Sequence, residues 1–190
     1  MNTKQAMRAE LCRRRSEHEA AIPDSMRGLL FRHPPGQLLS LVPEAATIAV
    51  YHPVAGEASP LGYARWFAEH GHPVALPWFA GRGEPMRFRL WNNPFDESAL
   101  VKAPYGGLQP PAEAEEVAIG LAIVPLLGFT TTGQRLGQGG GHYDRYLAEN
   151  PNVIPIGIGW DCQLVDALPL EPHDQPLRAV VTPTRFYGPF

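Results

Sequence analysis

The sequence predicts an α/β fold: a mostly parallel sheet with helices on both faces. Three observations predict it. Apolar runs rich in Val, Ile, Leu and Ala recur at 46–51, 74–76, 117–124, 153–159 and 179–182, as buried parallel strands require. Helix-like segments fall between several of them, and alternation of the two element types implies a parallel sheet. A glycine-rich loop follows the third run and opens a helix, the arrangement in which α/β proteins bind anions.

Each element has a local reason. Residues 3–18 read as a helix, with Thr3 able to cap it and Ala6, Met7 and Leu11 sharing a face. Residues 23–45 are Pro-rich at both ends, with a short helix around 26–31. Residues 46–51 (ATIAVY) read as a buried strand, 61–70 as a helix stopped by Gly71, and 74–76 as the next strand. Arg87, Arg89 and Trp91 alternate with Phe88 and Leu90, which predicts a half-exposed strand over 86–91. Residues 92–116 read as a long loop, and loops of that length are often functional. The strand 117–124 leads into the glycine loop and a helix over 141–149; 153–159 and 179–182 complete the set. In such sheets ligands bind at the carboxyl ends of strands, so Tyr51–His52, Leu76–Pro77, Val124–Phe129 and Ile158–Asp161 are expected to converge.

Composition narrows the function classes. A chain of 190 residues can bury one large core and is expected to form a single domain over 1–190. A net charge of −3 gives no sign of a nucleic-acid partner. The one basic cluster, Arg13-Arg14-Arg15, lacks interleaved aromatics and reads as a solvated helix face. Cys12 and Cys162 have no metal or redox spacing; one disulfide or two free thiols both fit, the latter more simply. The polar N-terminus has no signal-peptide core, and the apolar run 117–129 is too short to span a bilayer. The expectation is a cytoplasmic protein without a membrane partner.

Residues 133–147, GQRLGQGGGHYDRYL, carry most of the functional information. Five glycines fall within 133–141, and such a loop running into a helix offers backbone N–H groups to an anion. Arg135 adds a cation that can grip phosphate bidentately. Asp144 adds a hard oxygen suited to Mg²⁺, although an acid at a helix start also serves as a cap or dipole partner. Phosphate site, cation and metal ligand together point to a nucleoside triphosphate. No Lys-Ser or Lys-Thr follows the glycines, which excludes a P-loop, and His142 stands where a Rossmann fingerprint needs its third glycine. His70, His72, His142 and His173 lack metallohydrolase spacing.

The stretch VPLLGFTTTGQRLGQGGGHYDRYL (124–147) resembles the signature of the 5-formyltetrahydrofolate cyclo-ligase, or methenyltetrahydrofolate synthetase, family. The likeness covers nearly the whole chain. Lys4 and Arg8 match a basic pair in the first helix, and Glu57 fits a folate-binding glutamate. Pro155-Ile156-Gly157-Ile158-Gly159, Asp161, Gln163, Leu168-Pro169, His173-Asp174 and Val180-Val181-Thr182 follow the C-terminal pattern in order. The resemblance implies a three-layer α/β/α fold with a mostly parallel central sheet, of the NagB/RpiA/CoA-transferase type. It also implies ATP-dependent cyclisation of 5-formyltetrahydrofolate to the 5,10-methenyl form, with ADP and phosphate released. ATP is then a co-substrate, Mg²⁺ its companion, and the protein a monomer or homodimer acting on small molecules.

The resemblance also distributes roles. Lys4, Arg8 and Arg135 are expected on the ATP phosphates; on spacing alone the first two read as an ordinary solvated face. Leu136, Gly137, Gln138, Gly139, Gly140, Gly141 and His142 complete the nucleotide site, and Asp144 holds Mg²⁺. Arg135, Tyr143 and Asp144 are the expected catalytic groups. Glu57 is expected to accept from the pterin N–H donors, with His52, Met86, Trp91 and Tyr143 around it; Phe88 is a further wall candidate, and Met86, Phe88 and Trp91 fit equally well as core. Thr130 replaces an expected aspartate after Gly-Phe, which predicts one acidic contact fewer near the nucleotide or metal. Gln109 replaces a glutamate, His142 a tyrosine, and Pro183 an acid. Two further readings stay open: a non-catalytic folate or nucleotide binder on the same scaffold, and a sugar-phosphate isomerase on a related fold.

Overall fold

The computed structural model describes residues 3–190, Thr3 through its backbone alone, so the expected Thr3 cap lies outside the described side chains. In chain order the elements are α1 (Thr3–Ala21), α2 (Asp24–Arg27), α3 (Gly36–Leu39), β1 (Ile48–Ala49), α4 (Leu61–Glu69), β2 (Val74–Trp78), β3 (Arg87–Leu90), β4 (Val101–Lys102) and β5 (Leu108–Gln109). They continue with β6 (Leu121–Pro125), β7 (Gly128–Phe129), β8 (Arg135–Leu136), α5 (His142–Glu149), β9 (Ile154–Ile158), a 3₁₀ turn (Asp161–Gln163), β10 (Ala179–Val181) and β11 (Phe186–Tyr187). A seven-stranded sheet runs β11-β10-β9-β6-β1-β2-β3. Its five central strands are parallel, and the two edge strands are antiparallel.

The apolar runs are buried because both sheet faces are covered. Along β6, Leu121 and Ile123 face a core with Tyr63 and Phe67 of α4 and Leu38 of α3. Ala122 and Val124 face the other side, with Phe88, Phe129 and Leu147 of α5. Two apolar faces on each strand explain why these runs show continuous hydrophobicity. α1 adds Leu11 to a smaller cluster with Leu127, Leu136 and Leu168. No helix among the described residues is long and apolar enough to cross a membrane.

Several expectations are corrected. Helix α1 runs to Ala21, and its inward stripe includes Lys4, Leu11 and Arg15, whereas Ala6 is exposed. The basic run is therefore not a uniform solvated face: Arg13 is exposed, Arg14 donates to the Cys162 carbonyl at 2.6 Å, and Arg15 is buried. The stretch 117–124 holds two pairings, since Val117 N–H donates to Phe88 O at 3.0 Å at the edge of β3 before β6 begins. The segment 92–116 carries the hairpin β4–β5, and a second hairpin, β7–β8, stands between β6 and the glycine loop. The short helix α3 and the edge strand β11 have no counterpart in the expectation. Cys12 and Cys162 are both free thiols.

Candidate active site

The chain runs β1-β2-β3 toward one sheet edge and β6-β9-β10-β11 toward the other, so the order reverses between β1 and β6. At such a switch point the loops leaving neighbouring strands diverge and open a crevice. A cavity of about 410 Å³ lies there. Tyr51 and His52 beyond β1, Pro77 of β2 and Pro125 of β6 line its base, together with the glycine loop. Ile158–Asp161 do not reach it. Trp160 instead donates through Nε1 to Gly56 O at 2.9 Å, and the Asp161 carboxylate accepts from Thr182 and Thr184, each at 2.6 Å.

One end of the cavity gathers three cations, Lys4, Arg8 and Arg135, among three carboxylates, Asp144, Glu171 and Asp174. Lys4 Nζ lies 2.6 Å from Glu171 and 2.7 Å from Asp174. Burial alone would lower the Lys4 ammonium pKa, but the hydrogen bonds to both carboxylates outweigh it and leave it raised. Arg8 donates to Gly137 O at 3.0 Å, which ties α1 to the loop. Arg135 on β8 meets Asp144 at 2.5 Å, and Gln175 N–H donates to the same carboxylate oxygen at 3.1 Å. Arg135 is fixed by burial, yet its Nε has no partner among the described residues. Gly139 has φ +104° and Gly141 φ +64°, backbone that side chains rarely adopt, so the turn from loop into α5 needs glycine at both. Gly141 is the N-cap of α5 and makes no side-chain cap, so the first-turn N–H groups lack a side-chain acceptor.

The opposite end has one buried carboxylate. Glu57, its side chain 6% exposed, accepts from Gln138 Nε2 at 2.6 Å and Val54 N at 3.0 Å, with Arg15 at 3.5 Å. Burial raises its pKa, and the Val54 N–H, Arg15 and Gln138 offset only part of that. Gln138 thus links the glycine loop directly to Glu57. The Tyr143 hydroxyl is buried without a partner among the described residues, and burial pushes its pKa up, helped by the nearby Glu57 charge. His52 Nε2 lies 3.2 Å from Glu97. Phe79, Tyr105 and His142 form an aromatic wall with ring centroids 4.6–4.9 Å apart. His142 is held below its usual pKa by burial and then by Arg145, so it serves as a neutral ring.

The cavity gathers Lys4, Arg8, His52, Glu57, Met86, Arg135, Leu136, Gly137, Gln138, Gly139, Gly140, Gly141, His142, Tyr143 and Asp144. Trp91 is not among them: it is 4% exposed, packs in the core with Val74 and Leu76, and donates to Asp96 O at 3.3 Å. Phe88 is likewise a core residue, 1% exposed. Trp91 has the opposite parity to Met86 and packs into the other core cluster; Met86 and Phe88 share one face, but Met86, just ahead of β3, also lines the cavity. Thr130 also lies outside. It is 2% exposed in the β7–β8 turn, where its hydroxyl serves Thr132 and the Gln134 N–H, so an acid there would not reach the cavity.

Sequence reasoning missed Phe79, Tyr105, Glu171 and Arg15. Tyr105 belongs to the segment set apart as functional by its length, and Glu171 neighbours the noted His173-Asp174. Glu171, His173 and Asp174 present ligand atoms within 4.8 Å of one another. Gln109 is explained by its buried side chain, which accepts from Phe79 N and donates to Phe79 O, both at 3.1 Å. Only an amide does both; a glutamate would lose one bond.

Residues 1–183 match the family model of the 5-formyltetrahydrofolate cyclo-ligase family. A 5-formyltetrahydrofolate cyclo-ligase of Escherichia coli strain K12 is 37% identical over 153 residues, 75% of this chain and 81% of that protein. One from Mycolicibacterium smegmatis is 30% identical over 174 residues, 89% and 90% of the two chains. Among solved structures, the 5,10-methenyltetrahydrofolate synthetase of Aquifex aeolicus superposes with a TM-score of 0.73 at 23% identity, covering 98% of this chain and 92% of its own. That of Mycoplasma pneumoniae gives 0.67 at 22%, covering 95% and 98%. At those identities the structural likeness speaks for the fold, and the sequence matches speak for descent: this chain belongs to the 5-formyltetrahydrofolate cyclo-ligase family.

Proposed function

We infer that the protein cyclises 5-formyltetrahydrofolate to 5,10-methenyltetrahydrofolate at the expense of ATP, releasing ADP and phosphate. The observation that carries this reading is one cavity with a phosphate-type end and a carboxylate-and-aromatic end joined by Gln138, 2.6 Å from Glu57. The chemistry needs both ends. An N-formyl amide is a poor electrophile, so its oxygen must become a leaving group. The formyl oxygen attacks the γ-phosphorus, the β–γ bridging oxygen leaves with ADP, and an imidate phosphate forms. N10 then adds to the activated carbon, its proton is lost, and phosphate departs as the amidinium closes. No protein nucleophile is required; positioning and charge neutralisation are, and alignment of bound groups can supply roughly 7–11 kcal/mol.

The charges of the site are paired internally: Lys4 with Glu171 and Asp174, and Arg135 with Asp144. ATP phosphates recruit Lys4, Arg8, Arg135 and the loop N–H groups. That exchange releases carboxylate oxygens of Asp144, Glu171 and Asp174, a donor set whose hard chemistry fits Mg²⁺. A bound Mg²⁺ would supply neutralisation of the phosphoryl charge. At the other end Glu57 accepts from the pterin N–H pair, the Phe79–Tyr105–His142 wall holds an aromatic ring, and Tyr143 offers its unmet hydroxyl. His52 and Met86 complete the lining.

The test is an absorbance assay following methenyl product from 5-formyltetrahydrofolate and Mg-ATP. Product that requires ATP and is lost in Arg135→Ala is expected. Absence of product, with both ligands still raising the melting temperature, would make the protein a binding relative without turnover.

A further inference from the structure

Helix α1 presents Lys4, Arg8, Leu11 and Arg15 toward the protein, at the spacing of one helical stripe. The first two reach the phosphate end of the cavity. Two turns further along, the Arg15 side chain is 5% exposed and approaches Glu57 at 3.5 Å without lining the cavity itself. Its guanidinium also lies against Gly56, where a Cβ would stand 3.4 Å from Nε. A charge removed from water is tolerated when a partner compensates it, and a carboxylate left alone in such a place takes up a proton instead.

We propose that Arg15 is a positioning residue for the folate: its buried guanidinium is the counter-charge that holds the Glu57 carboxylate in place and anionic, and so sets the pH range over which the folate binds. This rests on the reading of Glu57 as the group that accepts from the pterin. The groups facing Glu57 are few. Arg15 comes from α1, Tyr51 from beyond β1 and Tyr143 from α5, while the Val54 N–H and the Gln138 amide are its uncharged donors. Both phenols are held neutral by burial, and the Tyr51 hydroxyl donates to Ala58 O. Among the described residues Arg15 is thus the one cation within ion-pair distance of Glu57. It also puts the phosphate end and the folate end of the site on the same helix.

A pterin N–H pair binds the ionised carboxylate, so folate binding weakens as the pH falls through the Glu57 pKa. Removing Arg15 moves that pKa upward, toward neutrality. In Arg15→Gln the folate KM should rise about tenfold for each unit by which the working pH lies below the displaced pKa. It should recover at alkaline pH, while the ATP KM stays constant. Arg15→Lys, which keeps the charge, should restore the flat profile. A packing role alone would raise KM, if at all, equally at every pH.

The experiment is a set of folate and ATP KM measurements from pH 6 to 9 on wild type, Arg15→Gln, Arg15→Lys and Glu57→Gln. An Arg15→Gln profile parallel to wild type overturns the proposal. An unchanged folate KM in Glu57→Gln overturns instead the underlying assignment of Glu57. A second measurement needs no Arg15 variant: in wild type labelled with δ-¹³C glutamate, the resonance missing from Glu57→Gln should stand at the carboxylate position at pH 7. A protonated carboxyl there overturns the proposal.

Discussion

The two ends of the cavity are built differently. The proposed phosphate end is nearly contiguous in sequence: β8, the glycine loop and the first turn of α5 span 135–144, with Lys4 and Arg8 added from one helix. The proposed folate end is assembled from distant stretches: His52 and Glu57 beyond β1, Phe79 and Met86 between β2 and β3, Tyr105 in the β4–β5 hairpin, and Tyr143 from α5. A phosphate offers uniform oxygens that backbone N–H groups and fixed cations satisfy, so one loop conformation suffices. A pterin presents an edge of donors and a flat face, which call for one directed carboxylate and several apolar walls. The first kind of site shows in a motif. The second shows only once the sheet has brought its pieces together.

The contrast can be broken by variants at either end. The largest effect is expected for Arg135→Ala, which removes the cation proposed to meet the phosphoryl group; losses of about 10³-fold in kcat are typical for such a group. A kcat within tenfold of wild type would remove Arg135 from the reaction. Next comes Gly139→Ala, which forces a side chain into φ +104° against Arg8. The left-handed region costs an L-residue roughly 1–2 kcal/mol. The prediction is an ATP KM raised about tenfold with the folate KM unmoved, read from initial rates. Glu57→Gln is the mirror image, with the folate KM raised about 10- to 100-fold, since a hydrogen bond to a charged group is worth about 1.5–3 kcal/mol. Its ATP KM should not change. If either variant disturbs both substrates equally, the two ends are not separable. The smallest effect belongs to Thr130→Val, which loses only hydrogen bonds inside the β7–β8 turn. It should lower stability by about 1 kcal/mol in thermal unfolding and leave kcat intact; a large fall in kcat would bring Thr130 back into the chemistry.

The same contrast explains what could be read from the sequence. The strands were legible because burial on both faces writes continuous apolar runs at 74–76 and 153–159. The phosphate end was legible because glycines, Arg135 and Asp144 stand together and resemble a known signature. Trp91 misled because an aromatic on an edge strand looks alike whether it faces core or cavity; parity decides, and β3 turns Trp91 into the core beside Val74. Arg15 misled for a related reason. Three adjacent arginines read as a solvated patch, yet helical spacing from Lys4 and Arg8 places Arg15 on their stripe, a signal present in the numbers 4, 8, 11 and 15. Phe79 left no local signal, and Tyr105 only the length of its segment; they meet across the fold, where Gln109 clamps the Phe79 backbone.

In the proposed reaction one cavity brings the γ-phosphoryl group of ATP to the formyl oxygen of the folate. It is tested most directly by the fate of that oxygen. With 5-formyltetrahydrofolate carrying ¹⁸O in the formyl group, turnover in unlabelled water with unlabelled Mg-ATP should release inorganic phosphate containing one ¹⁸O atom per methenyl product, read by mass spectrometry. Methenyl product formed with unlabelled phosphate would mean that the oxygen leaves by another route, and direct phosphoryl transfer in this cavity would be refuted.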